Sequence, residues 1–149
     1  MDMELLLKFF EVNELIKNEV KRQKGGDAKH KKAGARLSMN AKNTLRILHN
    51  SEEINQRTLA KKLNISAQAM SEIIKNLEQG QYIERKNNRV NNENIISITN
   101  EGRKKAKMFI EWFSVVNEKV FSILNDDEKI VFDKLLDKIK EVNNTNEYA

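Results

Sequence analysis

Cysteine is absent from this sequence of 149 residues, and only two histidines are present. The lack of cysteine excludes disulfide bonds, redox sensing through a thiol and metal sites built on thiolates. No pairing of a nucleophile with a base, no glycine-rich phosphate loop and no cluster of metal ligands is visible. An enzyme is therefore the weakest of the functions that we consider, and we predict no catalytic residue, no cofactor and no metal site.

A long apolar run is also missing from the N-terminus. Residues 1–15 (MDMELLLKFFEVNEL) place Asp2, Glu4, Lys8 and Glu11 among their apolar residues. That mixture is typical neither of a signal peptide nor of a membrane span. We therefore expect a cytoplasmic protein that does not interact with membranes. The length suits one domain, or one domain with a dimerisation arm.

The charge of the chain favours an acidic partner. The net charge is +5 and the pI is about 9.3. Residues 17–36 hold eight basic side chains against two acids, a local charge of +6 that leaves −1 for the rest. Within this stretch, residues 24–36 (KGGDAKHKKAGAR) indicate a flexible loop or an irregular extension of the first helix. Such a loop either lies over phosphates or is simply solvated. His30 stands among cations there and is not expected to bind a metal.

Residues 56–77 (QRTLAKKLNISAQAMSEIIKNL) carry the pattern around which the rest of the chain is interpreted. Two groups of apolar residues recur at helical spacing, namely Leu59, Ala60 and Leu63, then Met70, Ile73, Ile74 and Leu77. Asn64 tolerates the left-handed conformation of a tight turn, and Ser66 can cap the second helix. The pattern predicts a helix-turn-helix, whose second helix enters the DNA major groove. Two amphipathic helices with a short turn also occur in proteins that bind no nucleic acid.

Residues 79–99 (QGQYIERKNNRVNNENIISIT) predict a β-hairpin directly after the second helix. Gly80 can end that helix, and two β-prone runs follow, with residues 86–94 as the loop between them. A hairpin in this position is a wing, and Arg85, Lys86 and Arg89 place positive charge where phosphates would lie. The alternative is that these three cations form only a solvated face.

The outward face of the second helix supplies the candidate base contacts. Gln68 can form paired hydrogen bonds with adenine, Ser71 can bond base edges or a phosphate, and Ala67 or Ala69 can touch a thymine methyl. Lys75 is expected to meet a backbone phosphate. Glu72 can accept a hydrogen bond from cytosine, face solvent or pair with Lys75, and the pair is the interpretation that we favour. The complete set of candidate DNA-binding residues is Arg57, Ser66, Ala67, Gln68, Ala69, Ser71, Lys75, Arg85, Lys86 and Arg89.

Three further helical stretches flank the motif. Residues 3–23 show a broad apolar stripe, Ser38 can cap a supporting helix over residues 38–50, and residues 99–144 predict two helices with a capping box at Asn125 and Glu128. The first and last stretches suit a dimer interface, although the first helix can also pack within one chain. The aromatic residues around Trp112 are either core or the lining of a ligand pocket.

The fold class we predict is mainly α with a small β-hairpin wing. A winged helix-turn-helix lobe occupies residues 37–99 of a single chain, 1–149, and residues 3–23 and 100–144 form a helical dimerisation region.

These motifs resemble the MarR family (multiple antibiotic resistance regulators), winged-helix transcription regulators of bacteria and archaea. The resemblance covers about residues 37–107, through INQRTLAKKLNISAQAMSEIIKNLEQGQYIER and SITNEGRK. Residues 98–102 (ITNEG) are similar to the family's Leu-Thr-x-x-Gly, which ends the wing. One departure is the family's Asp-x-Arg motif in the wing, because Val90, Asn91 and Asn92 stand at those positions. Arg89 is the candidate replacement for the missing arginine.

The resemblance implies a homodimeric repressor that binds a palindromic DNA operator. It further implies release by a small ligand, often aromatic, bound between the dimer arm and the DNA-reading lobe. The competing interpretation is a winged helix used as a protein-interaction module, without sequence-specific DNA binding.

Overall fold

A computed structural model of the chain describes residues 2–24 and 37–146. The elements are α1 (Asp2–Lys24), α2 (Met39–Ser51), β1 (Glu53–Asn55), α3 (Gln56–Leu63), α4 (Ala67–Gln79), β2 (Ile83–Asn88), β3 (Glu93–Ile98), α5 (Asn100–Phe121) and α6 (Asp126–Asn146). The predicted fold class, mainly α with a small β wing, is confirmed. Most of the basic segment, residues 25–36 with His30, lies outside the described residues.

The chain divides into two compact units. One lies within residues 33–111 and contains α2 to α4, the sheet and the beginning of α5; we call it the winged unit. The other contains α1, the part of α5 from Trp112 onward, and α6; we call it the helical unit.

The core of the winged unit consists of the apolar residues that the helical periodicity picked out. Leu45 and Leu48 of α2, Leu59 of α3 and Met70 of α4 are fully buried. Ile74, Leu77, Ile96 and Ala106 are also fully buried. Ile73, Leu63 and Ile65 are partly buried and pack against this core. Each of the larger buried side chains contributes about 1.5–3 kcal/mol by leaving water. Burial of the apolar side chains of α4 determines which face of that helix remains exposed.

The sheet has three strands in the order β1-β3-β2, with both pairs antiparallel. The sequence did not indicate β1, because three residues with one apolar side chain are too short to show an alternation. Ile54 of β1 pairs with Ile96 of β3. The loop predicted over residues 86–94 is also wrong in its bounds, since β2 continues to Asn88 and β3 begins at Glu93. Only residues 89–92 form the hairpin turn.

Side-chain caps begin α2, α5 and α6, and those at Ser38 and at Asn125 with Glu128 were predicted. The Oγ atom of Ser38 accepts a hydrogen bond from the backbone N of Ala41 at 3.1 Å. Thr99 does the same for Gly102 at 3.0 Å. Asn125 and Glu128 form a reciprocal capping box, with both bonds at 2.9 Å. Each cap satisfies backbone donors that the helix itself leaves unpaired.

The end of α4 differs from the usual glycine cap. Gly80 follows the helix as predicted, but its φ of −76° is right-handed, and the positive φ of 62° belongs to Gln81. A Cβ on Gly80 would lie 2.7 Å from Cε2 of Tyr82. The glycine therefore provides space for the Tyr82 ring rather than a left-handed turn.

The helical unit leaves large apolar side chains exposed in the single chain. The apolar stripe on α1, predicted to lie in a dimer interface or to pack within one chain, is open here: Leu5 is 75% exposed and Phe9 is 54% exposed. On α6, Leu135 and Ile139 are exposed by 52% and 58%. Within the described residues, no helix combines the length and the apolar character that crossing a membrane requires.

We predict that Gly102→Ala destabilises the winged unit by about 2 kcal/mol or more, the cost of overpacking. A Cβ at this buried position in α5 would lie 2.1 Å from the Tyr82 carbonyl oxygen and 2.7 Å from Cγ1 of Ile98. That oxygen is already fixed by the backbone N of Thr99 at 3.0 Å. Urea unfolding followed by circular dichroism measures the change.

Gly80→Ala is the matched control. Its added Cβ would crowd only the Tyr82 ring, which can rotate, while the Asn76 carbonyl oxygen at 3.5 Å is an ordinary contact and the φ of Gly80 suits alanine. Gly80→Ala should therefore cost less than Gly102→Ala. An equal loss of stability in the two variants would contradict the close approach at Gly102.

Candidate nucleic-acid interface

The turn between α3 and α4 is held by backbone hydrogen bonds as well as by apolar packing. Asn64 adopts φ 53° and ψ 50°, the left-handed conformation that was predicted. The backbone N of Ile65 donates to the Ala60 carbonyl, and that of Asn64 to the Lys61 carbonyl, both at 3.1 Å. This is a Schellman arrangement. Ser66 then caps α4 by accepting from the backbone N of Ala69 at 3.1 Å. The angle at which α4 leaves the turn is therefore closely determined.

The outward face of α4 carries the predicted contact residues. Ala67, Gln68, Ser71 and Lys75 are exposed, as is Ser66 before them, whereas Ala69 is half-buried at the edge of the face. Gln68, Ser71 and Lys75 follow one another at intervals of three and four residues, so they line one side of the helix. This side offers amide, hydroxyl and ammonium groups, which are the donors that base edges and phosphates accept.

Arg57 lies in the first turn of α3 and is exposed. The side chain of Asn55 accepts from its backbone N at 2.7 Å, which fixes the start of the helix. Within the part of the chain that the structure describes, no acidic group pairs with the Arg57 guanidinium. Its charge is therefore available to an anionic ligand.

The cations of the wing differ in their surroundings. Arg85 faces α4, and its Nε atom lies 3.4 Å from Oε2 of Glu78. Lys86, the next residue, points to the other face of the strand by alternation and is exposed. Arg89 begins the turn at the wing tip and is also exposed. Binding a phosphate requires Arg85 to leave Glu78, whereas Lys86 and Arg89 are already free of acidic partners among the described residues.

After Arg89, the remaining turn residues of the wing tip, 90–92, are uncharged. Val90 is 97% exposed, and Asn92 takes a positive φ of 54°. The side chain of Asn91 accepts from the backbone N of Glu93 at 3.2 Å and donates to the Glu93 carboxylate at 3.1 Å. The asparagines at the tip therefore stabilise the turn.

One predicted interaction on α4 is not formed. Among the described residues, Glu72 and Lys75 make no ion pair, and the acid of α4 that does pair is Glu78, with Arg85. An exposed pair on a helix gains only about 0.3–0.5 kcal/mol, so ordering of both side chains easily cancels it. Lys75 consequently remains available on the outward face.

A row of side-chain amides beside α4 was not anticipated. Asn87 donates through Nδ2 to Oδ1 of Asn94 at 3.0 Å, and Asn94 donates through Nδ2 to Oε1 of Gln56 at 3.3 Å. Gln56 in turn donates through Nε2 to Oγ of Ser71 at 3.2 Å. Sequence alone could not find this row, because it depends on the strand register. The only signal was the unusual density of asparagine between residues 87 and 94.

The residues with metal-binding potential are scattered. In residues 2–24 and 37–146, no group of three or more histidine, aspartate or glutamate side chains is placed to hold a metal ion. The outward groups of α4 and the wing are instead hydrogen-bond donors and cations, which suit a polyanion with readable edges.

Comparison with known proteins agrees with this geometry. The model of the MarR family matches residues 37–92, which run from the start of the winged unit to the wing tip. No curated protein sequence matches the chain.

Solved structures resemble the chain over almost its whole length. AbsC of Streptomyces coelicolor, a MarR family transcriptional regulator, is 19% identical, with 96% of this chain and 94% of AbsC covered and a TM-score of 0.78. MepR of S. aureus, solved with DNA, is 19% identical, with coverages of 91% and 96% and a TM-score of 0.72. PcaV of S. coelicolor, solved with its natural ligand, is 14% identical, with coverages of 92% and 89% and a TM-score of 0.71. At these identities the likeness establishes the fold.

Proposed function

We propose that this chain, whose residues 37–92 match the MarR family, is a homodimeric repressor that binds a palindromic DNA operator and is released by a small ligand. The family model covers the helix-turn-helix and most of the wing. Members of the family are transcription regulators and not enzymes. The proposed site of action is the cytoplasm, where bacterial DNA lies.

One observation carries the DNA-binding part of the proposal. The apolar stripe of α4 is buried, and this leaves Gln68, Ser71 and Lys75 in line on the exposed face, with the wing cations in the same unit. A helix presented in this way fits the major groove, while the wing follows the phosphates. MepR, which has a similar fold, was solved with DNA, and this supports the same use of the fold here.

Base reading and phosphate binding fall to different elements in this proposal. Glu72 and Glu78 outnumber Lys75 on α4, so this helix contributes little general attraction to DNA. Arg57, Lys86 and Arg89 supply the exposed positive charge instead. Arg85 adds to this charge once its side chain leaves Glu78.

We assign sequence preference to Ala67, Gln68, Ala69 and Ser71, with Ser66 at the helix start. Lys75 and the arginines then supply salt-dependent affinity.

The homodimer rests on the exposed apolar faces of α1 and α6. Side chains such as Leu5, Phe9 and Ile139 are large and open to solvent in the single chain. A soluble monomer rarely exposes a wide apolar surface, and such a surface usually marks a site that another molecule covers. A second copy related by two-fold symmetry would do so and would present two α4 helices to the halves of a palindrome.

Release by a ligand is the last element of the proposal. PcaV, which shares the fold, was solved with its natural ligand. In this chain Trp112 and Phe113 have ring centroids 5.2 Å apart, and they form an aromatic surface of the kind that binds aromatic molecules. A ligand that prefers the dimer geometry with mismatched α4 spacing would lower DNA affinity by that preference.

The DNA-binding proposal predicts opposite effects for two charge changes in the wing. Arg85→Ala with Arg89→Ala should weaken DNA binding and reduce the slope of log K against log salt by up to about two, because two phosphate contacts are lost. Glu78→Gln should strengthen binding a few-fold, about the strength of an exposed ion pair, because it releases Arg85. Fluorescence anisotropy on DNA from upstream of the gene and on scrambled DNA, over a salt series, measures both.

Glu84→Gln is the matched control, since Glu84 is exposed on β2 and no arginine pairs with it among the described residues. It removes the same charge without freeing Arg85, so its gain should be smaller than that of Glu78→Gln. A protein partner bound equally well without the two arginines, together with no preference for any DNA, would favour the protein-interaction module.

The dimer proposal predicts that Phe9→Glu produces monomers, because a carboxylate would replace an apolar contact in the subunit interface. Sedimentation equilibrium at micromolar concentrations measures the mass. Lys8→Glu introduces the same side chain at the neighbouring exposed position and should leave the dimer intact. A wild-type chain that remains monomeric throughout would refute the homodimer.

The ligand proposal predicts that some small aromatic carboxylates lower operator affinity at least about tenfold, which corresponds to a coupling of about 1.4 kcal/mol. Trp112 is the only tryptophan, so its fluorescence reports binding near the aromatic surface. Trp112→Phe provides the spectroscopic control. DNA affinity and tryptophan fluorescence that stay unchanged across such a set would argue against release by this class of ligand.

A further inference from the structure

The amide row has a regular basis in the sheet. Residues 53, 54 and 55 of β1 oppose residues 97, 96 and 95 of β3. Extending this register by one residue places Gln56 opposite Asn94, and on the other side of β3 Asn94 opposes Asn87 of β2. Asn87 and Asn94 thus form a cross-strand pair, and Gln56, the first residue of α3, continues their line just beyond the end of β1; we call these three amides the rank. Their hydrogen bonds run along the rank, as in ladders of asparagine and glutamine side chains.

The rank ends on a residue of the recognition face. Gln56, at the start of α3, uses Oε1 to accept from Asn94 and Nε2 to donate to the hydroxyl of Ser71. Asn87 donates at the head of the row, and Asn94 and Gln56 each accept on one side and donate on the other, so the row has a direction. Ser71 receives the last hydrogen bond, in the second turn of α4.

This direction determines what Ser71 can offer to a ligand. A serine hydroxyl has one donor and two acceptor lone pairs. The Gln56 amide occupies one lone pair and repels a hydroxyl proton turned toward it, so the O–H bond turns away from Gln56 and can donate to a ligand at the outward face. A donor in that position can bond N7 or O6 of guanine, N7 of adenine, O4 of thymine or a phosphate oxygen. Cytosine offers only an N4 donor in the major groove.

We infer that Gln56, with Asn94 and Asn87 behind it, is a positioning residue that holds the Ser71 hydroxyl as an outward hydrogen-bond donor for DNA. The inference rests on the proposed DNA-binding function and adds to it a specificity device outside α4. The rank also connects the wing to the recognition helix, since Asn87 belongs to β2 and Ser71 to α4. A shift of β2 would therefore change the position of the Ser71 hydroxyl, which is proposed to contact a base.

Gln56→Met tests the inference, because methionine keeps the length and the neutrality of glutamine but lacks both hydrogen-bonding groups of the amide. The probes are the duplex enriched from a random DNA library by the wild-type protein and a scrambled duplex of the same composition. We expect affinity for the enriched duplex to fall about fivefold, the loss of one hydrogen bond. Affinity for scrambled DNA and the salt slope should not change, because no phosphate contact is removed.

The double variant with Ser71→Ala separates positioning from direct contact. If Gln56 acts through Ser71, then Gln56→Met should have no further effect once the hydroxyl is gone. Gln79→Met is the matched control, since Gln79 is exposed at the end of α4 and its side chain makes no hydrogen bond among the described residues. Thermal unfolding of all variants should give the wild-type midpoint.

The outcomes distinguish this inference from the function on which it rests. A wild-type protein that enriches no sequence and binds both duplexes alike would refute sequence-specific binding, and the positioning role would fall with it. A specific wild type whose preference survives Gln56→Met would overturn the positioning role alone. The same follows if Gln56→Met retains its full effect in the Ser71→Ala background, because Gln56 would then act without Ser71.

Discussion

Burial of the apolar stripe on α4 is the constraint on which the rest of the winged unit depends. Met70, Ile74 and Leu77 are fully buried, and a helix has only one opposite face. Once these three side chains are inside, Gln68 and Ser71 must be outside. The Schellman turn and the Ser66 cap then limit rotation and tilt of the helix. The packing of the buried face of α4 therefore determines the orientation of its DNA-reading face. Loss of a buried methylene group would disturb DNA recognition even though that group makes no contact with DNA.

The helices could be predicted from interactions between neighbouring residues, whereas the features that the sequence did not reveal depend on the register of the strands. Ser38, Ser66 and Asn64 acted as the sequence indicated because a cap or a left-handed turn involves only neighbouring residues. Strand β1 escaped prediction because three residues show no periodicity, and its pairing with β3 is a long-range event. The asparagines of the wing were assigned to a loop on propensity. Three of them, Asn87, Asn88 and Asn94, extend the strands instead, and Asn87 and Asn94 are hydrogen-bonded to each other across the strands.

The same long-range pairing explains why the candidate contact residues could be proposed but their supports could not. Periodicity places Gln68 and Ser71 outside, and composition places cations near the wing. Neither can reveal that Glu78 holds Arg85, or that Gln56 donates to Ser71, because these pairs join elements that meet only after the sheet has formed. Exposed polar pairs add little to stability, and the hydropathy of the sequence does not indicate which exposed residues form them. Their influence is on orientation, which a sequence pattern does not record.

A dimer built on α1 and α6 would obey different physics from the winged unit. Burial of their exposed apolar faces would be strongly favourable, yet apolar contact is non-directional and tolerates small changes of angle. The winged unit is held by caps, strand pairing and a dense core, each of which has one geometry. Adjustment of the distance between two α4 helices would therefore occur more readily at the subunit interface than inside the winged unit. A ligand near Trp112 would need to prefer one interface geometry by only 1–3 kcal/mol to change operator affinity about 5- to 150-fold.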